Sequence, residues 1–500
     1  MPIRKIDILC YHVVTMKTRL ERDAIGKFPV PSHAYYGIFT ARAMKNFQLT
    51  GQKAPRVYIK ALGFIKEACA EVNYDVGILE KRLSQAIIKA AQEFQHGKFD
   101  EEFPLDVIQA GAGTPFNMNA NEVIANRANE ILNRPLGTYD PVHPNNHVNL
   151  SQSSNDVTPT AIRVAALFLL VELVTAVEKL ENSLRAFAQK NAHVIKTGRT
   201  HLEDAVPITL GQEFRAYATM LAKTKKRFKK TSEELFEIGL GGTALGTGIT
   251  THPSFQKKVV SRLAKLTRLP LIPTDDLCET TSGMNVFTAL SGVCRMLAID
   301  LIKISNDLKL LNMGPLAGIS EITLPEVEPG SSIMPGKVNP SVAEAVHMAA
   351  YDVFASDSAI ALAAQAGQLE LNVMTPLILK HLLGALQLLT NTCEMFRKFC
   401  IEGIQVNENA IKRLYEGSLV TATALSPYLG YEITAELVKE ALKENKSIIY
   451  ILRQKKFMKE EDMARLLSVD RLTKPAQIDS QLKKRIQDNE EYQKFKMGLK

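Results

Sequence analysis

The spacing of apolar residues between Asp156 and Cys400 constrains this chain more than any other feature. Ala161, Val164, Ala165, Phe168, Leu169, Leu173 and Val177 recur at three and four, the period of one helix face, over windows far longer than a strand. The same spacing predicts helices over Leu210 to Phe236, Val286 to Leu311, Ser341 to Ala364 and Pro376 to Cys400, with few prolines or glycines inside them. Helices this long and apolar around much of their circumference bury more than one face, most simply against copies of themselves. A mainly all-α fold on a central long-helix bundle is therefore expected. The 500 residues, 46% hydrophobic, suffice for several units. Composition shifts predict an N-terminal domain over 1–150, a central helical bundle over 151–406 and a small helical domain with a basic tail over 407–500.

Composition narrows the function classes. No run approaches the roughly 18 to 20 apolar residues that a membrane helix needs, and the apolar stretch Ile6 to Val14 is broken by Asp7 and His12. Neither a signal peptide nor a membrane partner is expected. Six cysteines without a CxxC pair fit free thiols in a reducing cytoplasm. The net charge of +8 resides largely in Lys223 to Lys230 and Lys483 to Lys500, which read as solvated helix faces. Neither interleaves stacking aromatics with its cations, so no nucleic-acid partner is expected. A positive field still favours an anionic substrate.

Segments dense in Gly, Pro, Ser, Thr and Asn punctuate the helices at 111–121, 151–160, 198–207, 239–253 and 330–340. The most informative is Gly330-Ser331-Ser332-Ile333-Met334-Pro335-Gly336-Lys337-Val338-Asn339-Pro340. It is not a Walker phosphate loop, because five residues separate its glycines and Val338 follows the lysine. Two hydroxyls on a Gly-rich turn, an ammonium six residues on and Asn339-Pro340 as a helix start suit an anion-handling loop. Local chemistry alone equally fits a connecting turn with a solvated lysine. No HExxH, clustered cysteine or EF-hand spacing implies a metal.

That eleven-residue string resembles the signature of the aspartase/fumarase superfamily. Gly111-Ala112-Gly113-Thr114 with Asn117 to Asn126, Ser151 to Asp156, and Gly198 to Ala205 resemble its other blocks in order, and the likeness runs from Ala34 to about Pro475. The resemblance implies a three-domain, mainly all-α fold that assembles as a homotetramer, and a lyase acting on a small dicarboxylate without an organic cofactor. Removing a proton beside a carboxylate builds charge on its oxygens, so the site must supply many donors. By the resemblance, Thr114, Ser153, Ser154, Asn155, Thr200, His201, Lys337 and Asn339 bind substrate. Ser331 is the general base, on a mobile lid that brings backbone N–H groups and Lys337 to its alkoxide. Ser332 is mainly structural. His201 pairs with Glu344, which orients the imidazole for binding or proton handling. Each site combines the Thr114 and Ser153 blocks, the Thr200 block and the Ser331 loop from different chains. His143 and Asn145 match a secondary anion site of some fumarases, with Asn146 replacing an aspartate; a capped surface loop fits them as well.

Two activities compete. Ala34-Tyr35-Tyr36-Gly37, Gly111 to Thr114, Asp204-Ala205-Val206-Pro207 and Ala366 to Met374 look like aspartases, which favours aspartate ammonia-lyase chemistry. Ser154, where aspartases usually carry threonine, together with Val142-His143-Pro144-Asn145 and Gly241-Gly242-Thr243-Ala244, looks like fumarases, so fumarate hydratase is the alternative. Leu316 departs from the arginine common to both and leaves room for another diacid. A third reading, a silent structural or binding relative, is opposed by the intact site residues.

Overall fold

The computed structural model describes residues 17–499; the Ile6 to Val14 stretch and Cys10 lie outside them. Helices dominate, and the long ones fall where the spacing predicts: Ser154–Lys190, Leu210–Ser232, Asn285–Leu311, Ser341–Gln365 and Thr375–Phe396. By compactness the chain groups into two units, each drawn from separate stretches. The first holds residues up to 173 with 227–295 and 352–388; the second holds 174–226, 296–351 and 389 onward.

In the first unit the helices Arg56–Asp75, Lys81–Gln95 and Thr114–Ile131 surround Tyr58, Ile65, Phe94, Phe103 and Phe116, none of them solvent-exposed. Phe103 stacks on Phe116 with ring centroids 5.4 Å apart. Such aromatic burial supplies much of the hydrophobic stabilisation of a small core. An antiparallel hairpin, Thr18–Asp23 with Gly26–Pro31, precedes these helices in sequence.

In the second unit a hairpin joins Ile195–Thr200 to Glu203–Thr209, with Thr200 opposite Glu203. The C-terminal helices close around Leu425, Leu429, Leu437, Ile448, Ile451 and Phe457. The basic tail is folded: Asp479 and Asn489 cap the helices Ser480–Gln487 and Glu490–Gly498, which bury Leu482, Ile486 and Tyr492 in that core.

One expectation needs correction. Ser154–Lys190 and Asn285–Leu311 are long and apolar enough by average composition to cross a membrane, with window hydropathies of 2.1 and 1.5. Polar residues such as Thr158, Arg163 and Arg295 interrupt the apolar runs without lowering the average enough. In the first helix 72% of that window is already buried against protein, and in the second 44%. The five cysteines among the described residues are free thiols.

Candidate active site

In the first unit two helix N-termini carry the expected donors. Ser153 caps the Ser154–Lys190 helix: its Oγ accepts the Asn155 N–H at 3.2 Å, and Asp156 Oδ1 reaches back to the Ser153 N–H at 2.9 Å. This reciprocal capping box fixes the turn and leaves the positive end of a long helix dipole at Ser153, Ser154 and Asn155. The other oxygen of buried Asp156 accepts N–H bonds from Gly241 and Thr243, and Asn155 Nδ2 donates to the Ala244 carbonyl at 2.7 Å, so the Gly-rich loop after residue 239 is pinned to the same turn. Burial lifts the Asp156 carboxyl to about 6, against the pull of those three N–H groups and of Lys66.

Thr114 opens the Thr114–Ile131 helix directly after Gly113, whose φ of 68° and close approach to Thr158 exclude a side chain. A Cβ there would lie 2.9 Å from Thr158, so glycine lets the Thr114 loop lie against the Ser154–Lys190 helix. Ala112 donates its N–H to the Val373 carbonyl at 2.8 Å. One unit thus brings together the Thr114 block, the Ser153 block, the 241–244 loop and the segment around Val373.

Sequence reasoning missed Lys66. Wholly buried, its ammonium donates to Asn117 Oδ1, Gln152 Oε1 and Asn149 Oδ1 at 2.6, 2.8 and 3.1 Å. Burial pulls its pKa below the ordinary lysine value. Its partners lie far away in the sequence, so no local pattern signals it.

In the second unit Thr200 ends one strand of the hairpin, and His201 and Leu202 form its two-residue turn with φ of 56° and 64°. Both positive angles match a tight hairpin turn that normally favours Asn-Gly. Holding His and Leu there costs on the order of 1 kcal/mol each or more, the kind of strain that collects at functional sites. Thr200, His201 and Leu202 are exposed. Arg199, immediately before them, donates to the wholly buried Glu321, which also pairs with Lys196 at 2.8 Å.

The Ser331 loop is closed on itself. Gly330 donates its N–H to the Lys337 carbonyl at 2.8 Å, and Asn339 Nδ2 donates to the Gly330 carbonyl at 2.7 Å. Ser331 Oγ accepts the N–H groups of Ile333 at 3.2 Å and Met334 at 3.0 Å. Lys337 is exposed, as is Glu344 in the first turn of the Ser341–Gln365 helix. Thr114 and Ser153 to Asn155 therefore lie in the first unit, and Thr200, His201, Ser331, Lys337, Asn339 and Glu344 in the second. Among the described residues of the single chain, His201 and Glu344 form no ion pair with each other, and no hydrogen bond joins the Thr200 turn to the Ser331 loop.

His143 caps the short turn Pro144–Val148: its Nδ1 accepts the N–H groups of Asn145 and Asn146, and the His143 N–H goes to His147 Nδ1. Those contacts are what the capped-loop reading of this segment requires. Leu316 is 92% exposed.

Aspartate ammonia-lyase of Bacillus subtilis is 44% identical over 457 residues, covering 91% of this chain and 96% of that protein. Class II fumarate hydratase of Neisseria meningitidis is also 44% identical, over 434 residues, 87% of this chain and 94% of the other. Residues 26–355 match the family model described as lyase, and 421–474 the one described as fumarase C C-terminus. The chain belongs to the aspartase/fumarase superfamily. A solved superfamily structure, a fumarate lyase:delta crystallin from Brucella melitensis bound to cobalt, superposes with a TM-score of 0.89 at 40% identity, over 92% of this chain and all of that one. Among the described residues no group of three or more His, Cys, Asp or Glu could hold a metal ion. The superfamily match accounts for the mainly helical fold and for the order of the blocks.

Proposed function

We propose that the chain is an aspartate ammonia-lyase that converts L-aspartate reversibly to fumarate and ammonia. The observation that carries the chemistry is the pair of backbone N–H groups, from Ile333 and Met334, aimed at Ser331 Oγ. A free serine is a poor base; the two N–H donors, with the Lys337 ammonium brought up by loop closure, would stabilise the alkoxide that makes it one. Ser331 takes the proton from the carbon beside the distal carboxylate. The charge left behind spreads over the carboxylate oxygens, where Thr114, Ser153, Ser154, Asn155, Thr200 and Asn339 supply donors and Lys337 a full charge. Collapse of that dianion forms the double bond as the C–N bond breaks, its electron pair leaving with the nitrogen of the protonated amino group as ammonia. His201, with Glu344, binds substrate or handles protons.

The preference for aspartate rests on segments that resemble aspartases, two of which are bonded to each other through Ala112 and Val373. Fumarate hydratase is the second reading, favoured by Ser154 and by the bond from Asn155 to Ala244 in the fumarase-like 241–244 segment.

Exposed helix faces support an assembly of several chains. Along Ser341–Gln365 the exposed positions include Glu344, Met348, Tyr351, Ala355, Ser358, Leu362 and Gln365, spaced alternately by four and three, with Asp352 and Ala361 exposed beside them. Asn285–Leu311 repeats the pattern at Met296, Ile299, Lys303, Asn306 and Leu310. Heptad spacing on exposed, partly apolar faces is the pattern of a helix-packing seam, and a homotetramer with sites shared between chains would cover it. Free, mostly buried thiols suit the cytosol.

The test is ammonia release from L-aspartate. Ser331→Ala should lower it by about a hundredfold to ten-thousandfold or more, with sedimentation unchanged. A fully active Ser331→Ala protein would remove the base from this scheme.

A further inference from the structure

Lys66 decides which way a chain of hydrogen bonds runs into the Ser153 turn. An ammonium has three N–H donors and no acceptor. The three side-chain atoms at 2.6, 2.8 and 3.1 Å from its nitrogen are therefore amide oxygens, of Asn117, Gln152 and Asn149, and all three donors are used. Each amide must then send its NH2 group the other way. Gln152 Nε2 donates to the carbonyls of Val148 and Leu150, and Asn149 Nδ2 to the carbonyl of Gln152, which together hold the backbone that leads into Ser153. Asn117 Nδ2 donates to Asn149 Oδ1 at 3.1 Å and to Ser154 Oγ at 3.0 Å.

Rotating the Asn117 amide would set its NH2 against the ammonium and its oxygen against Asn149 Oδ1, two repulsive contacts in a buried place. The Ser154 hydroxyl oxygen is thereby committed as an acceptor. Its proton remains free to donate, at the N-terminal end of a 37-residue helix that already favours an anion.

We propose that Lys66 is a positioning residue: through the relay Lys66 to Asn117 to Ser154 it sets the polarity of the Ser154 hydroxyl, so that this hydroxyl donates to an anionic group of the substrate. The proposal rests on the reading of Ser153 to Asn155 as the substrate-binding turn. Polarity matters because a hydroxyl turned inward would present a lone pair to a carboxylate and repel it.

The experiment is steady-state kinetics on the full-length assembly, with whichever of L-aspartate or L-malate the wild type turns over. Asn117→Asp keeps a contact with Lys66 as an ion pair but replaces the NH2 by an oxygen, so Ser154 must donate inward. KM should rise about tenfold to a hundredfold, with a smaller change in kcat. Ser154→Ala should raise KM similarly, Ser154→Thr should restore it, and the Asn117→Asp/Ser154→Ala double variant should be no worse than Ser154→Ala. Multiplying effects in the double variant, or a wild-type KM in folded Asn117→Asp, would overturn the relay. Ser154→Ala removes a single oxygen, so an unchanged KM there overturns it even if Asn117→Asp fails to fold. A wild type inactive on both substrates would instead remove the lyase reading.

Discussion

Arg199 donates to the wholly buried Glu321 at 2.9 Å, and Arg199 is the residue directly before Thr200 in the strained hairpin turn. Lys196 shares the same carboxylate from the same strand. Glu321→Gln would leave Arg199 facing a neutral amide and Lys196 with only its second partner, Glu213, at 3.0 Å. Removing one partner of a buried ion pair costs about 3–5 kcal/mol. The variant should show a clearly lowered Tm and weaker substrate binding, read by calorimetry and by KM. An unchanged Tm would mean that Glu321 does not hold this strand.

Asp156 predicts a pH dependence. Burial raises its carboxyl from 3.8 to about 6, so the folded state holds a proton that the unfolded chain has released between those values. Its contribution to stability is present below 3.8 and is lost as pH rises through about 6. Relative to Asp156→Asn, the wild type should lose stability over that interval and run parallel above it. Denaturation midpoints of both proteins at several pH values measure the slope; a wild type that gains stability relative to Asp156→Asn as pH rises would give the opposite sign.

His201 occupies a turn position with φ of 56°, where asparagine is tolerated well. His201→Asn should therefore keep the unfolding free energy within about 1 kcal/mol of wild type while lowering kcat or kcat/KM. A Tm loss with normal kinetics would make the imidazole structural.

The exposed heptad face carries Met348 and Leu362, 66% and 65% exposed in the single chain. Placing glutamate at both should break the assembly, because charges buried in an apolar seam cost several kcal/mol. Sedimentation should show smaller species, and these should be inactive. An active monomer would contradict sites shared between chains.

The long helices were legible because their apolar residues repeat over many turns, so the period averages out local exceptions such as Pro159 inside Ser154–Lys190. The hairpin at Ile195–Thr209 was not. Gly198 and Pro207 read as loop punctuation, and His201-Leu202 lacks the residues that announce a tight turn. The two membrane-length apolar windows were not legible as runs, because isolated polar residues break a run while leaving its average hydropathy high. Thr114, Ser153 and Ser331 were found through motif resemblance. Lys66 was hidden, since its amide partners lie 51 to 86 residues away and gain meaning only when folding brings them around one ammonium.

The most direct test of the aspartate assignment is ultraviolet absorbance, where the double bond of fumarate absorbs, after purified protein is given L-aspartate and, separately, L-malate. Fumarate formed from aspartate and not from malate is the predicted result. Fumarate from malate alone would contradict it and would make the chain a hydratase whose aspartase-like segments do not set its substrate.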